Sequence, residues 1–192
     1  MSVEGILNKK YGAGTIKVAS EITERKSILL DSGVLSLNLA LGTNGFLGGR
    51  MGMVWGEKSS GKTLLALCFA ARVQRDGGKV AFLDAEGTLS IPFAKKLGVD
   101  LSKLFVISCK DERLDKKTGK VMDPLCGEEW FDIVIELIKS KEYQLIILDS
   151  IPALVPKTKM ETETVDQGNQ KAVPAQMMAE MRAEAHRRGA NI

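Results

Sequence analysis

Residues 56–63 constrain this chain more than any other segment, because they match the phosphate-binding loop G-x-x-x-x-G-K-[ST] without a gap or a substitution. The apolar run 51–55 before the loop predicts a buried strand, and the run 64–71 after it favours a helix. Between a strand and a helix, backbone N–H groups can face phosphates, and the helix N-terminus adds positive potential. The motif consists of Gly56, Glu57, Lys58, Ser59, Ser60, Gly61, Lys62 and Thr63.

This loop predicts a site for a nucleoside triphosphate such as ATP. Lys62 is expected to reach the β- and γ-phosphates, and the hydroxyl of Thr63 is expected to hold Mg²⁺. The alternative is a turn rich in glycine and serine before a core helix. The complete motif in this context argues against that alternative.

Length and composition indicate one globular domain in the cytoplasm. The chain has 192 residues, of which 44% are hydrophobic and 27% charged, which suits a core with a solvated surface. No apolar run approaches the length of a membrane span, so no membrane association is expected. The N-terminus lacks a signal-peptide pattern, and the three cysteines form no C-x-x-C pair. The net charge of +3 neither requires nor excludes nucleic acid as a partner.

Beyond residue 26, strands and helices alternate, which predicts an α/β fold with a mostly parallel sheet flanked by helices. Residues 144–148 are apolar enough for a strand that is buried on both faces. Other strands are predicted at 79–83 and 104–107, and helices are predicted at 35–41, 91–97, 128–140 and 171–188. In the last helix a stripe of methionines is interpreted as a core face.

The two ends of the chain differ from this central pattern. Residues 1–26 predict a polar arm with a short helix and a short strand at 15–18, which packs on the domain or on a neighbouring copy. Residues 27–192 form the predicted core, and residues 190–192 resemble the entry to a further strand. We therefore expect a core that is truncated at its C-terminal side.

Three side chains outside the loop have properties suited to the binding or hydrolysis of ATP. Asp149 ends an apolar strand and is expected to complete the Mg²⁺ site, although such an acid can also cap a turn. Glu86 follows the strand 79–83 and is expected to activate a water molecule, or else to be a surface acid. Phe93 could stack on adenine, but from the residues alone we favour a core position.

Residues 110–125 are rich in lysine, aspartate and glycine and separate the third strand from its helix. They predict an exposed insertion or β-hairpin that carries both charge signs. A solvated loop is favoured over a binding element.

Asp84-Ala85-Glu86 is followed by the run 94–100, and few phosphate-loop ATPases carry both segments. With this pair as its most specific marker, the chain resembles the bacterial RecA family of DNA strand-exchange ATPases. The resemblance covers most of the chain apart from 110–125. Its other segments are residues 6–16, 32–42, 56–63 and 149–157.

For the nucleotide, the resemblance implies that Glu86 is the catalytic base and that Lys62 takes part in catalysis. Phe93 stands where the family stacks an aromatic ring on adenine, so stacking becomes the preferred interpretation. Ser90 departs from the family, which usually has an acidic residue against the base at this position. This departure concerns the selectivity of the site for adenine.

For DNA, the resemblance implies that residues 159–170 are the first DNA-binding loop. Composition alone would not predict this, because the loop is acidic, and a mobile surface loop is the alternative. Met160 and Val165 are the candidates to insert between bases. The candidates to contact phosphates are Lys157, Lys159 and Lys171.

As a whole, the resemblance implies an ATP-dependent recombinase that binds single- and double-stranded DNA, self-associates into a filament or ring, and promotes strand exchange. Two alternatives remain: a hexameric helicase-type motor, and a nucleotide-binding module without turnover. The family's second DNA-binding loop and C-terminal domain have no counterpart in these residues. Residues 1–192 alone are therefore expected to hydrolyse ATP slowly at best.

Overall fold

A parallel sheet covered by helices forms the centre of the structure, which is a computed structural model that describes residues 2–21, 29–43, 45–157 and 172–188. This arrangement confirms the predicted α/β class. None of the described helices is both long and apolar enough to cross a bilayer. In chain order, the helices and strands are α1 (Val3–Tyr11), β1 (Leu29–Leu30), α2 (Leu35–Leu41), β2 (Phe46–Leu47), α3 (Lys62–Arg75), β3 (Val80–Asp84), α4 (Ile91–Lys96), β4 (Leu104–Ser108), α5 (Gly127–Ser140), β5 (Leu145–Asp149) and α6 (Ala172–Arg188).

Strand β3 lies between β4 and β5 and runs parallel to both. All five of its residues are buried, as expected for a strand with neighbours on both edges and helices on both faces. At the end of β3, Asp84 stands opposite Ser108 of β4 and Asp149 of β5. The three strands therefore finish at one edge of the sheet, and that edge carries the candidate site.

The core has two halves, one on each face of the sheet. Alternate residues of β3 serve different halves, because Ala81 and Leu83 belong to one cluster and Val80 and Phe82 to the other. Helices α5 and α6 cover the first face, and α3 and α4 cover the second. The buried helix residues are Phe131, Val134, Ile138, Met181 and Ala185 on the first face, and Leu67, Ala70, Val73 and Ala94 on the second.

The methionine stripe of α6 is confirmed as a core face where the structure describes its side chains. Met181 and Ala185 are fully buried against the cluster that α5 helps to build. Met177 is half-buried and packs against the same cluster. These contacts fix α6 against α5 on one side of the sheet.

Local signals set the ends of the other helices close to where the sequence predicts them. Helix α5 begins with a capping box, in which the backbone N–H of Cys126 donates to Oε2 of Glu129 at 2.8 Å. Helix α4 begins at a cap formed by Ser90. Helix α2 ends at Gly42, whose φ of 68° is readily adopted only by glycine.

The buried strand predicted at 51–55 is wrong. No strand is assigned there, and the exposed fractions of Met53, Val54 and Trp55 are 69%, 50% and 85%. An apolar run becomes a buried strand only when a neighbouring strand takes its hydrogen bonds and a second layer covers its side chains. In the described part of the chain, β5 pairs with β3 alone, and only Met51 of this segment packs against a core cluster.

The short strand predicted at 15–18 is also absent. Instead, the side chain of Asn8 in α1 takes both backbone groups of Ile16, accepting from its N–H at 2.9 Å and donating to its carbonyl at 3.2 Å. These two bonds replace a strand ladder and tie the segment after α1 back to the helix. A strand pair that was not predicted joins β1 to β2 in antiparallel orientation.

The segment 110–125 is an exposed hairpin, as predicted. Leu114 and Val121 form an antiparallel bridge. The carboxylate of Asp115 stabilises the turn by accepting from the N–H of Thr118 at 2.7 Å, from its hydroxyl at 3.0 Å and from the N–H of Lys117 at 2.9 Å. These bonds hold the pKa of Asp115 below its usual value.

A buried polar network at the start of α2 gives a first testable prediction. Oδ1 of Asn38 accepts from the N–H and the hydroxyl of buried Ser32, at 3.1 and 2.6 Å, and its Nδ2 donates to Asp31 at 2.7 Å. Replacement by alanine leaves a buried N–H without this partner, so Asn38→Ala is expected to lower the free energy of unfolding by about 1–3 kcal/mol. Urea denaturation measures the change. The control is Ser36→Ala, on the exposed side of α2, whose free energy of unfolding is expected to stay within about 0.5 kcal/mol of the wild-type value. Equal losses of stability in the two variants would exclude the network as the cause.

Candidate nucleotide-binding site

The phosphate-binding motif folds as an exposed loop that leads into α3. Ser59 and Gly61 have φ angles of 64° and 94°, and these left-handed turns direct the chain into the helix. A Cβ at Gly56 would lie 2.7 Å from Oγ of Ser60, so a side chain at this position would require that hydroxyl to move. The backbone path therefore favours glycine most clearly at Gly61, whose φ is left-handed.

Lys62 lies against the backbone of this loop. Its Nζ donates to the carbonyls of Gly56 at 3.0 Å and Glu57 at 2.8 Å. The ammonium group therefore lies at the loop in which the motif predicts a triphosphate. Phosphate oxygens could replace the two carbonyl oxygens as acceptors of its hydrogen bonds.

Thr63 and Asp149 are in direct contact, although 86 residues separate them in the sequence. The hydroxyl of Thr63 donates to Oδ2 of Asp149 at 2.6 Å, which joins the start of α3 to the end of β5. Mg²⁺ takes oxygen ligands and is commonly held by one or two protein groups together with phosphates and water. The side-chain oxygens of Thr63 and Asp149 fit this role. Among the described residues, no group of three or more His, Cys, Asp or Glu side chains could hold a metal ion.

Glu86 is joined to the same strand end through both its backbone and its side chain. The N–H groups of Ala85 and Glu86 donate to the carbonyl of Asp149 at 2.8 and 3.2 Å. The hydroxyl of Ser150 donates to Oε1 of Glu86. Because Glu86 is exposed, its carboxylate can reach water, as a general base must.

Asp84 has a structural role that the sequence analysis missed. Its side chain is buried, and its carboxylate accepts from the N–H groups of Thr88 at 2.9 Å and Leu89 at 3.2 Å. These bonds hold the turn that carries Glu86. The available signal was an aspartate at a strand end shortly before a glycine, which is typical of such turns; Gly87 has a φ of 67°.

Comparison with known proteins identifies the family. The chain matches the family model described as the RecA N-terminal domain over residues 2–191. The chain belongs to the RecA family. It is 38% identical to Protein RecA of Halalkalibacterium halodurans over 160 residues, 39% identical to Protein RecA of Petrotoga mobilis over 156 residues, and 38% identical to Protein RecA of Mesoplasma florum over 161 residues.

These alignments cover 83%, 81% and 84% of this chain, but 42%, 38% and 44% of the three RecA proteins. The chain thus spans about two-fifths of the length of the RecA relatives it matches.

Phe93, the RecA-like candidate for stacking on adenine, is 42% exposed on the first turn of α4. The core position that the residues alone favoured is wrong, because the ring belongs to neither core cluster. The hydroxyl of Ser90, which stands at the family's acidic position, accepts from the N–H of Phe93 at 3.4 Å. This hydroxyl caps the helix, and base stacking stays a prediction.

Among the predicted RecA-like DNA contacts, the structure describes one. Lys157 is exposed, and its backbone N–H donates to Oε2 of Glu128 at 2.9 Å, which ties the chain after β5 to the start of α5. Its ammonium group is therefore available at the surface. The other four, Lys159, Met160, Val165 and Lys171, lie outside the described residues.

Proposed function

We propose that this chain is the nucleotide-binding core of an ATP-dependent DNA recombinase. The observation that carries the proposal is the 2.6 Å bond between Thr63 and Asp149, at the sheet edge where Glu86 is also held. Phosphoryl transfer needs a phosphate loop, oxygen ligands for a metal ion and a residue that orients the attacking water. Candidates for all three occur at this one edge, and the RecA family provides the context.

Each group has a distinct part in the proposed hydrolysis of ATP. Residues 56–61 would surround the phosphates with backbone N–H groups, and Lys62 would contact the β- and γ-phosphates. Thr63 and Asp149 would hold Mg²⁺, which supplies charge neutralisation at the phosphate oxygens. Glu86 would orient the attacking water and accept its proton.

DNA binding and self-association complete the proposal. Residues 159–170 would form a DNA-binding loop, in which Met160 and Val165 insert between bases and Lys157, Lys159 and Lys171 contact phosphates. Residues 1–26 would form an oligomerisation arm on a core of residues 27–192. The assembly would be a filament on single-stranded DNA that pairs it with duplex DNA, and hydrolysis would loosen it.

A phosphate-release assay on the full-length protein tests this proposal. The expected result is Mg²⁺-dependent ATP hydrolysis that rises when single-stranded DNA is added, with filaments visible by electron microscopy. Closed rings would favour the hexameric motor. Tight ATP binding with no turnover, with or without DNA, would leave only a nucleotide-binding module.

Stacking by Phe93 gives a prediction that separates recognition of the base from recognition of phosphate. Phe93→Ala is expected to weaken ATP binding about 3- to 10-fold, since an aromatic contact contributes about 0.5–1.5 kcal/mol beyond its burial. The affinity for inorganic triphosphate should not change, and calorimetry measures both. A matched control is Phe105→Ala, since Phe105 is 48% exposed and its ring packs on Tyr143. Equal weakening of both ligands would exclude stacking.

A further inference from the structure

We infer that Ser150 is a positioning residue that holds the Glu86 carboxylate in the orientation required for hydrolysis. This inference rests on the proposed ATPase function and adds a residue to its machinery. Ser150 follows directly after Asp149 and donates its hydroxyl proton to Oε1 of Glu86, across 64 residues of sequence. Within the described residues, it is the one side chain that hydrogen-bonds to this carboxylate.

The side chain of Glu86 needs such a partner because its backbone is fixed but its carboxylate is exposed. The two N–H bonds to Asp149 and the turn built by Asp84 hold the main chain of Glu86. Several rotatable bonds separate that main chain from the carboxylate, and an exposed glutamate samples many rotamers. A base contributes fully only when it is held in place for the proton it accepts.

The bond leaves the base able to act. A hydroxyl has one proton to donate, and here it engages Oε1, while a carboxylate has two oxygens and about four lone-pair sites. Oε2 therefore remains able to accept a proton from water. Because Ser150 is half-buried and adjacent to Asp149, one short segment sets both the proposed metal ligand and the orientation of the base.

Removal of the hydroxyl leaves the local backbone bonds in place. The carbonyl of Ser150 accepts from the N–H of Ala153 at 3.1 Å, and the carbonyl of Asp149 accepts from Ala85 and Glu86. None of these bonds uses the serine side chain. Ser150→Ala therefore removes the bond to Glu86 selectively.

A double-mutant cycle in the full-length protein tests the inference through DNA-stimulated ATP hydrolysis. Ser150→Ala is expected to lower kcat about tenfold with KM within about twofold, since misorientation of a catalytic group affects the chemical step. Ser150→Thr keeps a hydroxyl on the same carbon and should stay within about threefold of wild type. In the Glu86→Gln background, Ser150→Ala should cause no further loss, because a residue that acts only through the Glu86 base has nothing left to orient.

Several outcomes would overturn the inference while the proposed function survives. They are an unchanged kcat in Ser150→Ala, an equal loss in the Glu86→Gln background, and a threonine variant as impaired as the alanine variant. Circular dichroism and binding of an ATP analogue check that each variant is folded. If Ser150→Ala does not fold, Ser150→Cys, which offers a weaker donor of similar shape, replaces it in the cycle. A wild-type protein that binds no ATP analogue would instead refute the proposed function itself.

Discussion

Replacement of Lys62 by alanine is expected to weaken the binding of a non-hydrolysable ATP analogue by about 10- to 100-fold, because a hydrogen bond to a charged group contributes about 1.5–3 kcal/mol. In the described structure its ammonium group donates to the carbonyls of Gly56 and Glu57. We expect a triphosphate to take over these bonds, so the variant loses a phosphate contact and also a group that organises the loop. Isothermal titration calorimetry in the presence of Mg²⁺ measures the change.

The control for Lys62→Ala is Lys139→Ala, which removes the same charge from a different surface. Lys139 lies on α5 and pairs with Glu136 at 2.7 Å, on an exposed part of the helix. Its loss should leave the affinity for the analogue within about twofold of wild type, since exposed ion pairs contribute at most about 1 kcal/mol to stability and none to this site. If both lysine variants bound the analogue as tightly as wild type, the phosphate loop would not have its proposed role.

The strands and helices of the sheet were predictable because their signals are local. Residues 80–83 and 145–148 are apolar runs of the length of a strand, so each segment predicts a buried strand without knowledge of its neighbours. The helix at 35–41 was predictable in the same way, since Gly42 marks its end. The candidate site was predicted in part, because parallel strands finish at one edge, and Asp149 ends one predicted strand while Glu86 follows another.

The wrong strand predictions concern segments whose conformation depends on residues that are remote in the chain. Residues 51–55 have the composition of a buried strand, but burial requires a ladder and a covering layer, and Trp55 is exposed instead. Thr15 to Val18 were expected to form a strand, and one side chain, Asn8, takes the backbone groups that a ladder would have used. In both cases the composition of the segment was compatible with a strand, but contacts with residues elsewhere in the chain determined its conformation.

The same limit applies inside the site. The contact between Thr63 and Asp149 could be expected from the order of motifs, because a phosphate loop and a strand-terminal acid share one edge. The bond from Ser150 to Glu86 could not, because a serine after a strand has many other roles and no spacing rule links the two. A residue that orients a functional group through one hydrogen bond produces no recognisable pattern in a single sequence.

Replacement of Glu86 by glutamine is expected to lower kcat for DNA-stimulated ATP hydrolysis by about 100- to 1000-fold, within the range that a general base contributes. Glutamine keeps the size of the side chain, and its carbonyl oxygen can still accept from Ser150, but it cannot take a proton from water. Binding of the ATP analogue and of single-stranded DNA should therefore stay within about threefold of wild type.

Single-turnover phosphate release, together with analogue binding by calorimetry, separates these effects. The matched control is Glu136→Gln on the exposed part of α5, which makes the same chemical change away from the sheet edge and should leave kcat unchanged. A loss of binding in Glu86→Gln would mean that this carboxylate shapes the nucleotide site, whereas an undiminished rate would remove Glu86 from the role of base. The expected pattern, intact binding with slow turnover, would also trap the protein on DNA, because hydrolysis is the step proposed to loosen the filament.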